Sequence, residues 1–181
     1  KIVYLSQMKL TDKVKRDWFL DKLLNLGYYI EFWDLSALIF PNKDKNNIVD
    51  GVRIRELKNF RDLYELLNNY DNRKALYVVI IPLYYEALKV YRLLKKTSIF
   101  SIFFLWGEAP SLTRNKNIIN KIRSYSLLHR NKISTFKQFY KRLITKINIK
   151  LNLSKRHDIC FFAGDVCRKY ATGKNNYGIN L

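Results

Sequence analysis

Two cysteines, three prolines, six glycines and a single methionine in a chain of 181 residues exclude several classes of protein at the outset. Cys160 and Cys167 are too few for a disulfide framework. Neither they nor His129 and His157 stand at metal-ligand spacing, so no metal is expected. The plain expectation is a strand position for Cys160 and a helix position for Cys167, in a reducing compartment. So little glycine and proline leaves no room for collagen-like, linker-like or low-complexity material. No apolar run approaches the roughly 18 residues of a spanning helix, and no secretory leader pattern is present. Catalytic signatures are missing too. No G-x-G-x-x-G follows the first apolar run, no G-x-x-x-x-G-K-[ST] appears, and no serine sits in a nucleophile elbow.

Acidic residues are absent from one long stretch. Between Ala109 and Arg156 there are thirteen Lys/Arg and no Asp or Glu. Residues 1–108 hold eighteen basic and thirteen acidic side chains, and residues 157–181 hold three and two. Most of the net charge of +19 is therefore packed into about a quarter of the length. A field of that kind attracts anionic lipid head groups, nucleic acid or phosphorylated molecules. The stretch is also rich in isoleucine, leucine and phenylalanine, unlike a disordered basic tail.

With 48% apolar residues, the chain can bury one core, and its length suits one domain. Short apolar runs open the chain (KIVYLS, residues 1–6) and recur at 75–82, 98–106 and 158–163, and residues 28–34 (YYIEFWD) also have strand character. Residues 52–57 (VRIREL) alternate instead. Between the runs, apolar residues return at helical spacing: Val14 to Leu26 with Thr11 or Asp12 as cap and Gly27 as stop, Phe60 to Leu67, and residues 84–96. A further helix should begin at Asp165. Strands alternating with helices predict an α/β fold with a doubly wound, mostly parallel, Rossmann-like sheet, carrying a basic helical insertion at 109–157. Continuous apolar runs read as fully buried strands, so 1–6, 75–82 and 98–106 should be central neighbours, with VRIREL nearer an edge.

Such sheets bind ligands beyond the carboxyl ends of their strands. That rule places Ser6, Gln7 and Tyr84, then Trp106, Gly107 and Glu108, then Gly164 and Asp165 around one rim as substrate-binding candidates. Glu108, an acid beside glycine at a strand end, is the one candidate for a catalytic group. Each of these residues also has an ordinary reading as a turn former or helix cap.

Phe136, Phe139/Tyr140, Leu143, Ile144, Ile147 and Leu151 recur at three- and four-residue intervals, with Lys137, Lys141, Arg142 and Lys146 off that line. Residues 118–130 carry a similar mixture. The pattern predicts a basic amphipathic helix that lies on an anionic membrane surface. The competing readings are a helix docked on its own domain with lysines in water, and a nucleic-acid surface. No helix-turn-helix, RRM, KH or zinc-finger pattern accompanies the charge, so membrane is preferred to nucleic acid.

The order of elements resembles a known family. An opening strand and helix lead into GYYIEFWDLS, with Glu31-Phe32-Trp33-Asp34-Leu35 at its centre, and FFAGDV with Ala163-Gly164-Asp165 comes late. This is similar to the N-terminal Rossmann-like domain of GT-B-type glycosyltransferases of bacterial surface-polysaccharide synthesis (capsule, O-antigen, lipopolysaccharide). The resemblance implies an acceptor-side domain, peripheral to the inner membrane on the cytoplasmic side, meeting a saccharide or lipid-linked acceptor. It implies no cofactor in this domain, because the nucleotide-sugar donor would bind a C-terminal half. The 181 residues would then be one domain of a longer two-domain protein, inactive in transfer alone. A nucleic-acid-binding module and a non-catalytic scaffold of an envelope-assembly complex are the alternatives.

Overall fold

The computed structural model describes residues 1–40, 51–105 and 132–162. Among them, six strands form one parallel sheet. β1 (Ile2–Ser6) pairs on one side with β2 (Ile30–Asp34) and on the other with β4 (Leu76–Ile80). β3 (Arg53–Glu56) lies beyond β2, while β5 (Ser101–Leu105) and β6 (Ile159–Phe162) continue beyond β4. The order β3-β2-β1-β4-β5-β6 is doubly wound, as expected. β1, β4 and β5 are consecutive, and the alternating Arg53–Glu56 segment is the edge. All five residues of β1 and of β2 are buried, the carboxylates Glu31 and Asp34 of β2 included, as strands covered on both faces are.

The helices cover the two faces with separate cores. On one face α4 (Phe60–Asn68) and α6 (Leu88–Thr97) bury Leu63, Leu67, Val90, Tyr91 and Leu94 against Trp33, Tyr77 and Val79. Asn59 caps α4 by accepting from the Asp62 N–H at 2.8 Å, the local bond that starts such helices. Short helices α3 (Ser36–Ile39) and α5 (Tyr70–Arg73) link the strands. On the other face α1 (Asp12–Asp17) and α2 (Leu20–Asn25) place Trp18 and Leu20 over Tyr4 and Phe32.

The continuous helix expected from Val14 to Leu26 is broken at Phe19, whose φ of 60° is left-handed. Trp18 and Leu20 are both buried, yet two residues apart on an unbroken helix they would point about 200° apart. The break turns both toward the sheet. It also frees the Trp18 carbonyl, which accepts from the Tyr4 hydroxyl at 3.1 Å. The left-handed conformation costs about 1–2 kcal/mol, which the burial of a tryptophan offsets. Gly27 (φ 82°) then stops α2: its N–H reaches the Leu24 carbonyl and the Tyr28 N–H reaches Leu23, both orphan carbonyls being satisfied.

Candidate functional site

The sheet order reverses between β1 and β4, and the connections leaving those strands run to opposite faces of the sheet. Such a switch point is where doubly wound folds open a crevice. Ser6 is buried. Its Oγ accepts from the Met8 N–H at 2.9 Å and donates to the Met8 carbonyl at 3.0 Å, so it holds the β1 turn closed. Gln7 reaches across the crevice, its Oε1 accepting from the Tyr84 hydroxyl. The ring of Phe40 stacks on Tyr84 at 6.1 Å. Burial first, and then the Glu86 charge, push the Tyr84 phenol well above its ordinary range, so it stays a neutral donor. Ser6, Gln7 and Tyr84 therefore stand together. Trp106, Gly107, Glu108, Gly164 and Asp165 lie outside the described residues, as do the stretch 118–130 and the helix start expected at Asp165.

The basic helix joins this crevice. α7 (Lys132–Lys150) docks beside the 3-10 turn Tyr85–Ala87 that leads into α6. Lys141 pairs with Glu86, its ammonium lies 5.6 Å from the centre of the Tyr85 ring, and Tyr85 in turn meets Tyr140. Burial works to raise the Glu86 carboxyl. The Lys141 ammonium and a local backbone bond outweigh that, and the net shift is downward. Further along, Asn148 is buried and accepts from Arg92 Nε at 2.9 Å and Nη2 at 2.6 Å. Ile144 and Ile149 pack on the core.

This docking divides the stripe read from the sequence. Ile144 faces inward, while Phe139, Leu143, Ile147 and Leu151 are exposed. Arg142, Lys146 and Lys150 are exposed beside them, as steps of three and four residues dictate. Lys137 is exposed as well, but Lys141 is drawn to Glu86 and so does not join the outward cations. The side chain of Phe136 falls outside the described part of the helix. Among the described residues no helix is long and apolar enough to cross a membrane.

At the far end of the strands, beyond α7, the chain enters a buried polar knot that spacing could not reveal. His157 stacks on Phe103 at 4.9 Å. Its Nδ1 lies 3.2 Å from Ser101 Oγ and its Nε2 lies 3.2 Å from the Tyr91 hydroxyl. Tyr91 donates to the Ile81 carbonyl. The Nε2–H tautomer then satisfies every member: Nε2 donates to Tyr91, and Ser101 donates to Nδ1. Burial, with the nearby Lys155 charge, pushes His157 down to about 4 against the opposing pull of Asp158. Asp158 accepts from the Ser101 N–H at 2.7 Å, fixing the start of β6 beside β5. Cys160, half-buried on β6, has its thiol pushed up to about 11 by burial and then by Asp158, which keeps it protonated at neutral pH. The knot sits at the amino ends of β5 and β6, away from the rim, and its chemistry is that of a clamp.

Among the described residues no three His, Cys, Asp or Glu side chains converge on a metal-sized space. Comparison with protein-family models, curated proteins and solved structures finds no match for this chain.

Proposed function

We propose that this chain is the acceptor-side domain of a membrane-peripheral glycosyltransferase in bacterial surface-polysaccharide synthesis, held to an anionic leaflet by α7. The observation that carries the membrane part is the outward face of that helix. Phe139, Leu143 and Ile147 are open there, with Leu151 exposed just past the helix end and Arg142, Lys146 and Lys150 among them. Apolar side chains that enter the acyl boundary beside cations that meet phosphates are what an interfacial helix needs. The same helix touches the turn next to Tyr84 through Lys141–Glu86 and Tyr140–Tyr85, so a docked α7 would hold the Gln7–Tyr84 crevice near the lipid surface. The sugar chemistry rests on the likeness of residues 27–36 and 161–165 to GT-B enzymes.

The test is co-sedimentation with vesicles rich in phosphatidylglycerol, against pure phosphatidylcholine vesicles. Binding is expected to the anionic vesicles and to fall at 1 M salt, where the screening length is about 3 Å. Replacing Arg142, Lys146 and Lys150 together with Gln should weaken it by up to about 3 kcal/mol, at about 1 kcal/mol per cation. Short RNA and DNA at equal ionic strength form the control. If oligonucleotides bind more tightly than vesicles and only their binding falls in the triple variant, the nucleic-acid reading takes its place. If neither binds, a non-catalytic scaffold remains.

A further inference from the structure

On the sheet face opposite α7, a cavity of about 230 Å³ opens between Tyr4, Trp18, Phe19, Leu23, Ile80 and Phe104. The Tyr4 hydroxyl is already engaged with the Trp18 carbonyl, so the lining offers a ligand almost nothing but hydrocarbon and aromatic faces. An apolar cavity of about 150 Å³ already takes up benzene in preference to water, and this one is larger. Its wall includes Phe19, the one left-handed aromatic among the described residues, half-exposed at the break between α1 and α2. Bulky residues hold that conformation only where surrounding structure demands it, and such sites cluster at ligand clamps.

We infer that this cavity binds the hydrocarbon tail of a single-chain anionic amphiphile. Two features select that occupant. Lys22 holds its ammonium 5.1 Å from the centre of the Phe19 ring, and among the described residues no carboxylate pairs with it, so a cation stands at the cavity wall for an anionic head group. Within the sheet, Phe104 stacks on Phe161 at 4.9 Å, and Phe161 and Ile159 are exposed on the same face at the β6 edge. The apolar lining thus continues as a strip, a shape for a chain rather than a compact ring. The site is distinct from the α7 face and does not depend on the membrane reading.

Trp18 supplies the assay. Octanoate, decanoate and laurate below their micelle concentrations, with decanol as the uncharged partner, are titrated while tryptophan emission is followed. A brominated fatty acid then identifies the quenched ring. Saturable binding is expected, tightening about fourfold per added methylene until the cavity is filled. Bromine quenching should be lost in Trp18→Phe. Leu23→Trp, which fills the cavity, should abolish binding, and Lys22→Gln should weaken decanoate but leave decanol unchanged. Vesicle binding through α7 should survive in Leu23→Trp, and decanoate binding should survive in the triple α7 variant. Thermal melts establish that each variant folds. Absence of saturable quenching in the unaltered chain, or quenching indifferent to both Trp18→Phe and Leu23→Trp, overturns the inference. The first result would mean that the chain's own residues or a second copy fill the space.

Discussion

Acidification should loosen this fold through His157 first, above the pH at which the depressed carboxylates of Glu31, Glu86 and Asp158 take up protons. The imidazole is buried between Phe103, Tyr91 and Ser101, and its folded value lies at about 4 against an ordinary 6.5. Above pH 6.5 the ring is neutral in both folded and unfolded chains, and stability is fully present. Between 6.5 and about 4 the unfolded chain takes up a proton that the folded chain refuses, so stability falls with pH. Below about 4 the loss is complete. At about 1.4 kcal/mol for each pH unit of displacement, the whole effect is about 3 kcal/mol, a large share of a small domain's stability. Urea unfolding at pH 7.5, 6.0 and 5.0 measures it, with His157→Gln for comparison. The variant should be weaker at pH 7.5, because the stacking on Phe103 is lost, but flat over this range. Glu31, Glu86 and Asp158 all have depressed values, so their contributions disappear only at lower pH and leave the window clear. Parallel pH dependence in the two proteins, or a His157 resonance titrating near 6.5, would refute the reasoning.

Three further outcomes are expected. Phe19→Gly should raise the urea midpoint, worth about 1 kcal/mol, because it removes left-handed strain from a half-exposed ring. Glu31 accepts from Trp33 Nε1 at 2.8 Å and Arg55 Nε at 2.9 Å and pairs with Lys1 at 3.0 Å. Burial works to raise its carboxyl, but these donors hold it down at about 2. Glu31→Gln should therefore cost on the order of 3 kcal/mol at neutral pH, since cations are left beside a neutral amide, and much less at pH 2. Calorimetric titration with uridine, guanosine and thymidine diphosphate sugars should show no binding tighter than millimolar to the 181-residue chain. Micromolar binding of any one would mean that the donor site lies within it.

The strands were legible because burial on both faces leaves a local mark. IVYLS, LYVVI and SIFFL are each continuous apolar runs, and the alternating RIRE lies at the sheet edge, where its residues are exposed or only partly buried. The break at Phe19 was not legible. Periodicity over residues 14–26 favours one helix, and only the sheet below makes Trp18 and Leu20 both turn inward. Spacing also found the stripe on α7 but could not say which side docks, since apolar residues occupy both sides. The choice is made by Glu86 and Arg92, which are 55 and 56 residues away from Lys141 and Asn148. The clamp around His157 was hidden for the same reason, with Tyr91 at a separation of 66 residues. Of the rim, the position of Ser6, Gln7 and Tyr84 followed from topology. Their contacts did not, because the Gln7–Tyr84 bond spans 77 residues.

The strand order also dictates a timetable for synthesis. β1 finds its first partner when Ile30 aligns with Ile2, but its other edge closes only when Leu76 arrives. At about 5–20 residues per second on a ribosome, roughly 2–9 seconds separate the emergence of those two partners. During that interval an apolar strand with open backbone donors and acceptors stands ready to pair with any other extended chain. A nascent chain of this fold therefore passes through a sticky stage fixed by its topology, and its yield should depend on translation speed and on chaperones that shield β1 until β4 is made.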